Sequence, residues 1–337
     1  MTSGLLGPAP GNARPDSPIP ALEEFLARSD RSKGAAASEL ESLVFELFAI
    51  EVGADHDLPV AAVTRVLDLG IVDKGWWLRA DPVHLQADQA RLILADGAML
   101  DVTQEEADRL VAEMMDVYAD EGWVLKAARP DRWYLKPPHI PNIQTTPLPT
   151  VVGRDVHDYL PQGKDSRAWH TILNEIQILL HTAGVNTERE QRGQLPINSV
   201  WFWGGGQLPD LKQVRWSKVW SGEPLSLALA RLSDTASADV PTNAEAWLES
   251  TDTPGEYLLV LDNIRTAVQY GDVDAWQGFV QTFETDWIAP LVGALKQGIV
   301  ASITVYTESA PGFRLTPKAL RRWWRRRKPL SKYRARA

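Results

Sequence analysis

The sequence predicts an α/β protein with a largely parallel sheet flanked by helices, and three stretches carry that expectation. Asn198-Ser199-Val200-Trp201-Phe202-Trp203 is a run of β-branched and aromatic residues that stops at Gly204, Gly205 and Gly206, the pattern of a buried strand entering a loop. Tyr257 to Asp262 is a second apolar run, ending in a carboxylate. Before a last apolar stretch, Val300 to Tyr306, the residues Trp276, Phe279, Val280, Phe283, Trp287, Ile288, Leu291 and Leu295 recur at helical spacing over 274–297. Strands that alternate with helices pair in parallel, since the helix carries the chain back to the starting end of the sheet.

Taken in order, residues 1–38 are rich in Pro, Gly, Ala and Ser and read as a mobile leader, apart from two possible helical turns over Ala21–Arg28. Leu40, Leu43, Val44, Leu47, Phe48 and Ile50 predict an amphipathic helix from Glu39, and Leu58–Leu69 a second, with Pro59 in its first turn. Trp76–Leu85 and Arg91–Leu94 read as strands, broken at Asp81-Pro82. Thr103 and Glu106 form a capping box before a helix whose stripe is Ala107, Leu110, Val111, Met114, Met115 and Tyr118. Trp133–Leu135 is a short strand, after which Pro137-Pro138-His139 opens a long proline-rich loop, an uncommon length unless functional or disordered. Helices come next at Ser166–His181 and Glu223–Leu232.

Composition narrows the chemistry. With no cysteine, disulfides, thiolate catalysis and Cys-type zinc sites are excluded, so any metal must take His or carboxylate ligands. No apolar run reaches the roughly 20 residues that span a bilayer, and a cytoplasmic protein is expected. The net charge of −9 is unevenly spread: residues 314–337 carry eleven Lys and Arg and no acid, leaving 24 bases against 44 acids over 1–313, a balance of −20. Such asymmetry marks an interaction tail for nucleic acid, a membrane surface or an acidic protein partner, or one that folds back on its acidic body. Within it Arg321, Arg322, Trp323, Trp324, Arg325, Arg326, Arg327 and Lys328 suit phosphates, stacked bases or lipid headgroups.

The glycine triplet is neither a phosphate-binding Walker loop nor a dinucleotide fingerprint. Near it in sequence stand Asn186, Arg189, Arg192 and Asn198, and these, with Asp81, His84, His139 and Gly204, Gly205 and Gly206 themselves, are candidates for a small anionic ligand. Each also has a structural reading: Asp81 as a turn carboxylate bonding its own backbone, His139 as a buried histidine satisfied in the proline loop.

As an ordered set, Asp81-Pro82-Val83, Pro137-Pro138-His139, Leu160-Pro161-Gln162-Gly163, Val185-Asn186 with Arg189 and Gly193, and Asn198–Gly206 resemble the archaeal-type cofactor-independent phosphoglycerate mutases. The set is similar still more closely to the bacterial RpfE-type regulatory proteins. The likeness covers most of 39–330 and is strongest over 76–210. It implies an alkaline-phosphatase-like core, 39–80 with 186–313, interrupted by an α+β cap over 81–185. It further implies two divalent cations and a transiently phosphorylated serine, the cations clamping the attacking and leaving oxygens.

The residues depart from that pattern. The family's opening Asp-Gly falls at Ser3-Gly4, its serine near Leu58-Pro59, its Asp-x-x-Gly-His at Asp262-Asn263-Ile264-Arg265-Thr266-Ala267, and its Asp-His-Ser/Thr at Tyr306–Pro311. All six histidines, 56, 84, 139, 157, 170 and 181, precede residue 182, so the C-terminal half of the core offers only carboxylates, chiefly Asp262 and Glu308. The expectation is a non-catalytic or regulatory protein with no metal or other cofactor, which keeps an anionic-ligand pocket. The alternatives are a divergent mutase or phosphohydrolase using Asp262 and Glu308 with a divalent metal, and a nucleic-acid or membrane-surface binder acting through the tail.

Overall fold

The structure, a computed structural model, describes every residue except 3, 7–12, 32–38, 54–55, 89–90, 212–213, 252, 263, 309 and 335–337. Its strands are β1 (Asp30–Arg31), β2 (Trp77–Asp88), β3 (Arg91–Ala95), β4 (Val124–Arg129), β5 (Arg132–Lys136), β6 (Ser199–Gly206), β7 (Lys218–Ser221), β8 (Ala236–Ala238), β9 (Tyr257–Val260), β10 (Ile303–Thr307) and β11 (Ala310–Leu315). The chain is mixed α/β and divides into two compact units, Met1–Ala49 with Gln213–Ala337, and Ile50–Lys212. The second unit is wider than the insertion expected over 81–185. Position 81 lies within β2 and 185 within the helix Gly184–Gln191, so a boundary at either would cut a hydrogen-bonded element.

In the first unit β7 pairs in parallel with β8 and with β9, while β11 pairs antiparallel with β10 and β1. Thr2 makes single parallel bridges to Leu261 and to Thr307, so the chain start links the ends of the two ladders. Leu5, Leu6, Phe25, Trp220, Trp276 and Phe313 fill the core. The mobile leader is corrected at Leu5 and Leu6, which are fully buried, while the helix expected over Ala21–Arg28 forms as Pro20–Arg28 and buries Leu22, Phe25 and Leu26. Those few apolar side chains offset the entropy of ordering the segment, which average composition conceals. Residues 3, 7–12 and 32–38 of the leader lie outside the described residues.

The helix expected over 274–297 is continuous but not uniform. It runs as Val273–Thr282, a π-helical turn Phe283–Ile288, and Ala289–Gln297. Pro290 has no N–H to donate to the preceding turn, which accommodates the wider spacing. The π turn places Glu284 at the start of Pro20–Arg28, where its carboxylate accepts from Ala21 N at 2.7 Å and Leu22 N at 2.6 Å.

The second unit is a five-stranded sheet in the order β3-β2-β5-β4, with β6 also paired to β2, and every pairing is antiparallel. Among the named strands parallel pairing is confined to β7, β8 and β9, and β1, β10 and β11 of the first unit also pair antiparallel, so a largely parallel sheet is not found. β4 and β5 are joined by two residues, Pro130 and Asp131, and so short a link permits only antiparallel pairing. The expected break at Asp81-Pro82 is also absent. β5 pairs with β2 at Leu78 and Arg79 and β3 joins from His84, so at Pro82 only β6 is a partner, through Val200, and the missing N–H costs no bond on the open side. The helices Gln104–Tyr118 and Ser166–Thr182 cover the sheet through Leu110, Met114, Trp169 and Ile176. The capping box at Thr103 forms as the sequence predicts.

Candidate functional site

In the first unit the carboxylates at strand ends gather round one guanidinium. Glu223 lies two residues past β7, Asp262 two past β9 and Glu308 directly after β10. Glu223 is buried and caps the helix Pro224–Leu232, accepting from Leu225 N at 2.7 Å, Ser226 N at 2.7 Å and Ser226 Oγ at 2.6 Å. Burial pushes its carboxyl up despite those bonds, and nearby Glu41 adds to the rise. Asp262 is half-buried, and burial raises it too, with Arg265 pulling the other way. Arg265 Nη2 donates to Glu41 Oε1 at 2.7 Å, with 23% of its side chain exposed. Burial alone would lower the guanidinium's pKa, but Glu41 first, then Glu308 and Glu223, hold it above its ordinary value.

Several oxygens of this donor set are already engaged. The oxygens of Glu223 are committed to a helix N-terminus, Glu41 to Arg265, and a fixed positive charge already stands among the acids. No group of three or more His, Cys, Asp or Glu is gathered as metal ligands among the described residues. Ser3, Asn263 and Ser309 lie outside the described residues. Sequence alone singles out Asp262 and Glu308 but misses Arg265, Glu41 and Glu223. Glu223 directly before Pro224 is the one legible signal, an acceptor placed at a helix start.

The anionic-ligand candidates all lie in the second unit, and most are committed to holding it. Asp81, 1% exposed, accepts from Arg79 Nε at 2.8 Å, Trp203 Nε1 at 2.7 Å and Trp133 N at 3.1 Å. His84 Nδ1 meets Pro196 O at 2.8 Å, and the Asn198 amide pairs with both backbone groups of Leu85. Asn186 bridges Leu180 and Ile197 through three bonds. Arg189 is wholly buried, spent on Glu106, Leu195 O and Leu100 O, while His139 is exposed rather than enclosed in the proline loop. Arg192 pairs with Glu106 beside an open cleft of about 290 Å³ that is also lined by Glu105, Arg109 and Glu188. Arg109 is bound by Glu188 there, so the cleft holds no surplus of cations for an anion.

The glycine triplet is not a loop. Gly204–Gly206 belong to β6, and a Cβ at 204 would lie 3.0 Å from Val60 Cβ, at 205 2.6 Å from the Trp76 ring and at 206 2.7 Å from Pro59 Cβ. The three glycines let the start of the helix Val60–Leu69 and the Trp76 ring press onto the strand. The proline loop is tied down nearby: Asp57 accepts from Thr145 N at 3.0 Å and from its hydroxyl. Of the tail candidates, Arg322 and Arg325 bind the first unit's own backbone, and Arg321, Trp323, Trp324, Arg326, Arg327 and Lys328 face outward.

Fold and site together define a two-unit α/β protein whose strand-end acids surround an arginine. Part of the chain is homologous to 2,3-bisphosphoglycerate-independent phosphoglycerate mutases: that of Methanosarcina acetivorans is 36% identical over 69 residues, 20% of this chain and 17% of that protein. That of Methanothrix thermoacetophila is 25% identical over 168 residues, 45% of this chain and 43% of its own. The matches therefore span less than half the length of either relative. No protein-family model matches the chain. Among solved structures, the cofactor-independent phosphoglycerate mutase of Thermoplasma acidophilum is 16% identical with a TM-score of 0.45, covering 94% of this chain and 88% of its own. No helix among the described residues is long and apolar enough to cross a membrane.

Proposed function

We propose that this chain is a regulatory, non-catalytic relative of the phosphoglycerate mutases, of RpfE-type kinship, working in the cytoplasm. In this reading the first unit stands for the alkaline-phosphatase-like core and the second for its inserted domain. The observation that carries it is the Arg265 guanidinium among Glu41, Glu223 and Glu308, in the segment that the resemblance matches to a metal-ligand motif. A guanidinium neutralises carboxylates permanently, yet it has no empty orbital with which to polarise a phosphoryl oxygen. The confinement of all six histidines to residues before 182 supports the same reading.

The test is conversion of 3- to 2-phosphoglycerate by the full chain with Mg²⁺, Mn²⁺ or Co²⁺, followed by ³¹P NMR. No turnover above the protein-free blank is expected with any of them. Metal-dependent turnover that Asp262→Ala abolishes would sink the reading in favour of a divergent mutase or phosphohydrolase built on Asp262 and Glu308.

A further inference from the structure

The segment 321–328 is a clamped loop that displays two tryptophans and a run of cations. Twelve of the fourteen tryptophans are buried or half-buried, whereas Trp323 and Trp324 are 78% and 62% exposed. Looseness does not explain this. On the entering side Ala319 is fully buried, and Arg28 Nη1 donates to Leu320 O at 2.8 Å. Arg322 forks onto the Asp30 carboxylate at 2.5 and 3.0 Å, and Arg325 Nη1 donates to Ser29 O at 2.9 Å. On the leaving side Leu330 is buried, Tyr333 packs edge-on against Phe313, and the Arg334 guanidinium lies 4.2 Å from the Trp276 ring centre.

Two arginines are thus spent on holding the loop, and Arg321, Arg326, Arg327 and Lys328 are left exposed, with no ion-pair partner among the described residues. No acid occurs anywhere in 314–337. We propose that this loop attaches the protein peripherally to an anionic lipid bilayer, the indoles entering the headgroup boundary and the four cations pairing with lipid phosphates. Indole settles at that boundary because an apolar ring and a polar N–H are both satisfied there. Cations on the same loop add the electrostatic half of a two-part anchor. The geometry favours lipid over a nucleic-acid strand: the two indole planes stand 84° apart, so they cannot both stack on successive parallel bases, whereas a headgroup layer imposes no ring orientation.

The experiment is co-sedimentation of the full chain with phosphatidylcholine vesicles, with and without a quarter of phosphatidylglycerol, and quenching of tryptophan emission by brominated acyl chains. Binding to the anionic vesicles alone is expected, weakening as salt rises. Arg326→Glu with Arg327→Glu should lower it by about fivefold or more per cation replaced, and Trp323→Ala with Trp324→Ala should abolish both binding and quenching. Both double variants change exposed positions and should keep the parent's Tm, so loss of binding is not loss of fold. Equal sedimentation with neutral and anionic vesicles, absence of quenching, or tighter binding to a single-stranded oligonucleotide than to the anionic vesicles would each overturn the proposal.

Discussion

Asp68 shows how much of the second unit rests on single buried charges. Its side chain is 0% exposed and accepts from Arg132 Nε and Nη2, both at 2.7 Å, and from Tyr134 Oη at 2.6 Å. Burial would raise its carboxyl, but the bonds from Arg132 and Tyr134 outweigh that and hold it below the ordinary range. A depressed carboxylate adds stability that is present above the unfolded pKa of roughly 4 and is lost as pH falls below it. Asp68→Asn should therefore cost about 3 kcal/mol at pH 7 by stranding Arg132, with the gap from the parent narrowing towards pH 3 in urea melts. Asp262 and Glu223 have the opposite sign. Burial raises both, so their contribution is complete below the unfolded pKa and is lost as pH rises through the folded one. The Asp68–Arg132 partnership could not be read from spacing, since one residue lies on the helix Val60–Leu69 and the other on β5, and they meet only when the two elements pack.

At the scale of elements, the glycine-ended strand carries the clearest contrast between pattern and outcome. The apolar run Ser199–Trp203 is legible because both of its faces are buried, and the strand forms at the expected position. Its glycine end is not legible in the same way, because three glycines suit a turn and a tight helix-on-strand contact equally well until the neighbour is known. Gly206→Ala should cost about 1–3 kcal/mol, because Pro59 Cβ and Cα stand 2.7 and 3.1 Å from the new methyl and cannot both retreat. Gly278→Ala, whose Cβ would meet nothing within 4 Å, is the matched control and should be neutral or slightly stabilising in the same denaturant titration. The same logic explains the helix across Pro290: periodicity reveals its apolar side, but a π turn depends on where a missing donor falls.

Taken as a whole, the molecule consists of two units with separate cores, and only the second is continuous in sequence. An excised 50–212 fragment, holding Leu110, Trp133, Trp169 and Phe202 in one cluster, should fold alone. A cooperative thermal melt with retained near-ultraviolet circular dichroism would show this, and a molten fragment would refute it. By itself the sequence determined the mixed α/β class, the helix stripes, the capping box at Thr103 and the basic, acid-free tail, since periodicity, local hydrogen bonding and charge are written residue by residue. Only the tertiary structure decided that Gly204–Gly206 lie in a strand packed against Pro59, Val60 and Trp76, that Asn186 and Arg189 bond distant backbone, and that Arg265 stands among the strand-end acids. Each of those outcomes depends on which distant atoms arrive at van der Waals or hydrogen-bonding range, and that is settled by how the chain closes on itself.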